Sequence, residues 1–156
     1  MSQGNDSKSE ALFALPNALQ PVRRAWMQAA TSAFVGAGLS PSLGTVVLVV
    51  SRHGAQVSQK DLAVEVGVNP AALVRTLDRG EAAGLLQRCD VPNDRRSKNV
   101  ELLPEGLRLA EMLETRLNTL RHELLGDLPE EDLQTAIRVL RLMEERAQAF
   151  VNQDKE

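Results

Sequence analysis

Apolar residues at Leu12, Leu15, Leu19, Val22, Trp26, Ala29 and Ala33 advance in steps of three and four, the spacing that gathers them on one stripe of a helix. The polar stretch before them, residues 1–10, holds nothing to bury and reads as a disordered tail. Pro16 and Pro21 each delete a backbone donor and crowd the preceding turn, so the pattern predicts a break there and an unbroken helix only from Pro21 to Ala37. Gly36 and Gly38 stop it, and Ser40-Pro41 restarts the chain with a cap and a residue suited to the first helical turn. In the next segment Thr45 to Val50 taken alone passes for a buried strand. Leu43, Val46, Val47 and Val50 share a helical face, however, and Gly54 stands where a helix ends, so the segment reads as a helix.

From Val57 the pattern shortens. Ser58 caps a brief helix with Asp61 three residues on, Leu62, Ala63 and Val66 point inward, and Gly67 turns the chain. Asn69-Pro70 opens a second helix that buries Leu73 and Leu77 and leaves Arg75 and Arg79 one turn apart on its other side, with Gly84 ending it. Leu85 to Cys89 and Asn99 to Leu103 are short alternating segments enclosing VPNDRRSK, which reads as a hairpin. Helix, turn, helix, strand, basic tip and returning strand make a winged helix-turn-helix over residues 40–103. Pro104 then opens a long helix striped by Ala110, Leu113, Leu117, Leu120 and Leu124. After Gly126 and Pro129 a last helix carries Leu133, Ile137, Leu140, Met143, Ala147 and Phe150 opposite Arg138, Arg141, Glu144 and Glu145. The fold class is mainly α with a small β-hairpin wing (α+β), with striped helices at both ends that need a partner to bury them.

Composition narrows the function. The chain has 156 residues, 43% apolar and 25% charged, enough for one soluble domain over 11–156. Its longest apolar run, Val46 to Val50, is far below the ~20 residues of a membrane span, and its polar start lacks a signal-peptide core, so the expectation is a cytoplasmic protein with no membrane partner. One cysteine forms no internal disulfide, and no Cys/His grouping has metal-ligand spacing. Without a nucleophile-base pair or phosphate loop, neither an enzyme nor a cofactor is expected. The net charge of −3 is unevenly spread: from Asn69 to Val100, six basic residues stand against four acidic ones. A nucleic-acid surface would arise from this segregation.

The segment LAVEVGVNPAALVRTLD, the wing VPNDRRSKNVELLPEG and the two C-terminal helices resemble the MarR family of bacterial transcription regulators. The residues that carry the resemblance are Leu62-Ala63, Arg75, Leu77-Asp78, Gly84-Leu85, Arg88, Asp94-Arg95-Arg96 and Gly106. Gly80 and Leu103 depart from it, and the glycine, which costs about 1 kcal/mol in a helix interior, predicts a frayed or tightened helix end. The resemblance implies a homodimer, with residues 11–39 and 104–152 as dimerisation helices. It further implies recognition helices in adjacent major grooves, wings in the flanking minor grooves, and Asp94 bracing Arg96.

Residue chemistry points the same way. Ala71 and Ala72 allow close approach to base edges, and Ala72 or Val74 suits a thymine methyl. Arg75 suits a base or phosphate, and Arg95 and Arg96 at a hairpin tip suit a narrow minor groove. The candidate DNA contacts are thus Asn69, Ala71, Ala72, Val74, Arg75 and Arg79 on the helix, with Asp94, Arg95, Arg96 and Lys98 on the wing. The expected dimer seam is Leu113, Leu117, Leu120, Ile137 and Leu140. The expected partners are a near-palindromic double-stranded operator, a second copy of the chain and a small apolar or aromatic ligand that relieves repression, with Trp26 as a candidate pocket wall. Other readings stand beside these. Trp26 in an apolar stripe also suits a core or seam, His53 and His122 suit the surface or a cap, and DRRSK on its own is a solvated turn. Cys89 is either a strand residue or, with Arg88 beside it, the thiol of a redox-sensing regulator. The whole unit could also be an interaction module that kept the fold without binding DNA.

Overall fold

The computed structural model describes residues 3–34, 36, 38–91 and 94–153, and the side chains of these except 3–5 and 94–96. The order is α1 (Gln3–Phe34), α2 (Pro41–His53), β1 (Val57–Ser58), α3 (Gln59–Val66), α4 (Pro70–Ala82), β2 (Leu86–Val91), β3 (Asp94–Leu102), α5 (Pro104–Leu125) and α6 (Glu130–Gln153). The chain divides into two compact units, one ending at Leu120 and the other starting at Arg121.

In the first unit α2 is the innermost helix. Val46, Val47, Leu48, Val49 and Val50 are all buried, which explains why the run looked like a strand: a helix covered all round has no polar face to show a period. Ser40 caps it by accepting the Leu43 N–H at 3.4 Å, and Gly54 ends it at φ 86°. Around it pack Ala30 and Phe34 of α1, Leu62 and Ala63 of α3, Leu73 and Leu77 of α4, and Leu109, Ala110, Leu113 and Leu117 of α5. Leu113 and Leu117, expected at a dimer seam, are buried in the chain's own core, while Leu120 is half-buried. In the second unit α6 buries no residue of its own, and Ile137 and Leu140 are each 44% exposed.

α1 corrects two expectations. Its helix starts at Gln3, inside the stretch read as a disordered tail, and runs unbroken through Pro16 and Pro21 to Phe34. The turn loosened by Pro16 gains a side-chain bond, since Asn17 donates its Nδ2 to the Phe13 carbonyl at 2.8 Å. The stripe is also divided: Trp26, Ala30, Ala33 and Phe34 meet the core, whereas Leu12, Phe13, Leu15, Leu19 and Val22 are exposed.

The wing is larger than a hairpin. Val57 and Ser58 pair with Val100 and Asn99, making a three-stranded antiparallel sheet in the order β1-β3-β2. Two residues are too few to leave an alternating signature, and Ser58 doubles as the cap of α3, accepting the Asp61 N–H at 3.0 Å. β3 reaches Asp94, so most of the expected loop is strand, with a register shift at Asp90/Val91.

Gly80 does not fray its helix. α4 continues past it to Ala82 and closes with the paired bonds of a Schellman motif, Gly84 N–H to Glu81 and Leu85 N–H to Gly80, with Gly84 left-handed at φ 68°. The glycine is there for packing: a Cβ would lie 2.7 Å from Leu86 Cδ2 and 3.1 Å from Leu43 Cδ1. Gly106, in the first turn of α5, is tighter still, since its Cβ would stand 1.9 Å from the Leu85 carbonyl oxygen. Gly106→Ala is thus expected to cost about 3 kcal/mol, the upper end for overpacking, because backbone must move, and Gly80→Ala about 1–2 kcal/mol, because leucine tips yield more easily. Urea unfolding checks both. Were α4's propensity in control instead, Gly80→Ala would stabilise by about 1 kcal/mol.

Candidate nucleic-acid interface

α4 is set by its two ends. Asn69 accepts the Ala72 N–H on its Oδ1 at 2.8 Å and Pro70 opens the first turn, so Asn69, expected among the DNA contacts, serves as a cap. Leu73, Thr76, Leu77 and Gly80 form the buried face, with the Thr76 hydroxyl returned to the Ala72 carbonyl at 3.1 Å. Ala71, Arg75 and Arg79 lie exposed, and Ala72 and Val74 are half-buried beside them. Among the described residues neither arginine has an ion-pair partner.

The carboxylates of the same helix are engaged. Arg88, on β2, places its Nη2 2.6 Å from Asp78 and 2.5 Å from Glu81, and its backbone N–H donates to Glu81 at 2.8 Å. These bonds tie the strand to the recognition helix and engage the two carboxylates nearest the free arginines, offsetting one of their two charges. Sequence reading picked out Arg88 without giving it this role, because an ion pair ten residues apart depends on where the sheet turns back. The hydrogen bond from Arg88 holds the Glu81 carboxyl below its ordinary range, against a smaller opposing effect of burial.

On the wing, Lys98 is exposed and paired with Asp90, its partner across the β2-β3 ladder, so one of the expected contacts has a carboxylate beside it. Asp94, Arg95 and Arg96 stand in β3, and their side chains, including the expected Asp94–Arg96 brace, lie outside the described residues. Trp26, the candidate pocket wall, is half-buried against the core. Burial pushes the Cys89 thiol up, and the hydrogen bond to Glu101 and the carboxylates of Asp90 and Glu81 push it further. That setting opposes the thiolate a redox sensor needs. Among the described residues no group of three or more His, Cys, Asp or Glu could hold a metal ion, and no helix is long and apolar enough to cross a membrane.

Residues 37–97, spanning α2 through most of the wing, match the profile of the MarR family. The winged unit is similar to that family. Its likeness extends beyond the matched residues: the transcriptional regulator PA3341 superposes with a TM-score of 0.80 at 29% identity, over 86% of this chain and 98% of that one. NadR in complex with 4-hydroxyphenylacetate gives a TM-score of 0.73 at 22% identity, over 83% and 91%. A mutant MarR from E. coli complexed with operator DNA gives 0.70 at 22%, over 85% and 95%. The last two show a shared fold.

The Arg88 network makes stability depend on acid. A carboxyl whose pKa is lowered on folding contributes stability that is present above its ordinary value of 4.5 and is lost as pH falls through the folded value. Arg88→Ala is expected to cost about 1–2 kcal/mol at pH 7 and to flatten the acid limb of stability below pH 4.5. Urea titrations of both proteins between pH 3 and 7 check it; parallel acid limbs would count against the coupling.

Proposed function

We propose that this protein is a homodimeric, sequence-specific DNA-binding transcription regulator, a repressor acting in the cytoplasm and released by a small apolar or aromatic ligand. One observation carries the DNA-binding reading. Arg75 and Arg79 are exposed and without ion-pair partners among the described residues, on a helix whose own carboxylates are held by Arg88. A helix so presented suits a major groove, with Arg75 as the base-reading side chain, Ala71, Ala72 and Val74 beside it, and the wing with Arg95 and Arg96 toward the minor groove. The operator-bound MarR mutant from E. coli and the 4-hydroxyphenylacetate complex of NadR support the partner classes.

The dimer reading is supported by exposed apolar side chains among the described residues: Leu12, Phe13, Leu15 and Leu19 on α1, and Ile137, Leu140 and Phe150 on α6. With Leu113 and Leu117 committed to the core, the seam narrows to Leu120, Ile137 and Leu140 from the earlier set. Two recognition helices one DNA turn apart, roughly 34 Å, call for half-sites about 10 base pairs centre to centre.

Selection from a randomised duplex pool followed by protection mapping tests the proposal, with a near-palindromic protected site as the expected result. No enrichment over input would favour the interaction module. Arg75→Ala should relax discrimination at one symmetric pair of positions, at about 1–3 kcal/mol per half-site if the contact is bidentate to guanine. Arg96→Ala should weaken binding to selected and scrambled duplexes alike and lower the salt slope by about one for each lost phosphate-like contact. In sedimentation, Leu140→Glu should yield a folded monomer, whereas Leu117→Glu should unfold the chain. A Leu140→Glu protein that stays dimeric would move the seam elsewhere.

A further inference from the structure

Between α3, the start of α4 and β3 runs a groove of about 480 Å³, of whose lining residues only Lys98 is among the DNA contacts named so far. Its walls include Ser58, Gln59 and Lys60 from the first turn of α3, Val68 and Pro70 at the entry to α4, and Lys98 on β3. Lys60 is exposed and, among the described residues, has no ion-pair partner. Lys98 faces the groove from the opposite wall with its charge shared with Asp90.

If α4 occupies a major groove and the wing an adjacent minor groove, one sugar-phosphate strand separates the two grooves and must cross the space between those elements. This channel, bordered by the start of α4 on one side and β3 on the other, is that space. We infer that it seats a backbone phosphate of DNA, with Lys60 as the principal cation and Lys98 as the second. The inference rests on the DNA-binding reading above and adds a contact that sequence patterning did not single out. The Gln59 amide suits a phosphate oxygen, the Ser58 hydroxyl being donated to Asp61 at 2.6 Å, and the apolar Val68 and Pro70 suit the sugar edge. No base edge is required, so the contact contributes affinity and register without sequence preference.

The test uses the full chain and a fluorescein-labelled 30-base-pair duplex of randomised sequence, titrated from 0.1 to 1 M KCl. Each phosphate neutralised adds about 0.9 to the salt slope, which amounts to about eightfold in affinity between 1 M and 0.1 M. Lys60→Ala is expected to lower the slope by that amount for each groove engaged. Lys60→Arg should keep it, and Lys8→Ala, on the exposed start of α1, should leave it unchanged. On the selected duplex, neutral methylphosphonates walked along each strand should weaken wild type at one symmetric position that no longer matters in Lys60→Ala. If wild type binds with a steep slope and Lys60→Ala matches it, or if no position loses its effect in the variant, the groove assignment is overturned while DNA binding stands. If wild type itself shows no salt-dependent binding, the DNA-binding reading fails and takes this inference with it.

Discussion

Leu85 closes the recognition helix with its N–H on the Gly80 carbonyl, receives the Leu103 N–H on its own carbonyl at 3.0 Å, and presses that same oxygen toward Gly106. Its neighbour Leu86 fills the space left bare at Gly80 and is almost fully buried. Four elements meet here: the end of α4, the start of β2, the exit of β3 and the first turn of α5. A side chain on either glycine would force backbone or a packed leucine aside, and dense interiors have little room for that. The pitch of α4 relative to the wing is therefore set by close approach at this junction more than by any hinge in the loop.

Arg88 reinforces the same relation from the polar side. With Leu86 anchoring one face of β2 in the core, the strand delivers the guanidinium to Asp78 and Glu81. The one guanidinium offsets one of the two carboxylate charges and holds both groups on the β2 side, leaving Arg75 and Arg79 as the unpaired cations that the helix presents among the described residues. An overall acidic chain thus offers a cationic helix face without a large excess of positive charge. Lys60 adds one exposed cation from a different element, α3.

Much of this was legible in order along the chain. The caps Ser40, Ser58 and Asn69, the turn at Gly67 and the 3.6-residue spacing in α4 and α5 are local features, governed by hydrogen bonds and contacts within a turn or two. The arginines of the recognition helix were found by the same local reasoning, because helical spacing alone puts Arg75 and Arg79 opposite Leu73 and Leu77. Asn69 fits two patterns, cap and DNA contact, and its bond to Ala72 establishes the cap.

What patterning left open needed partners distant in sequence. A stripe says that a face is apolar but not what covers it, so Leu113 and Leu117 read as a seam although α5 uses them to close the chain's own core. Gly80 read as a weak point because helix propensity is local, whereas its reason, Leu86 and Leu43 in contact, is not. β1 escaped because two residues carry no period, and it exists only through pairing with β3 some forty residues later. Pro16 and Pro21 predicted a break from the lost donors, yet α1 continues, since its Pro16-loosened turn is exposed to water and braced by Asn17. The sequence by itself determined the elements, their caps and the cationic face of the recognition helix, all of which depend on neighbours within one turn. The tertiary structure decided which apolar stripes are core, why two glycines are bare and where Lys60 stands, because each depends on an approach between segments that no local period encodes.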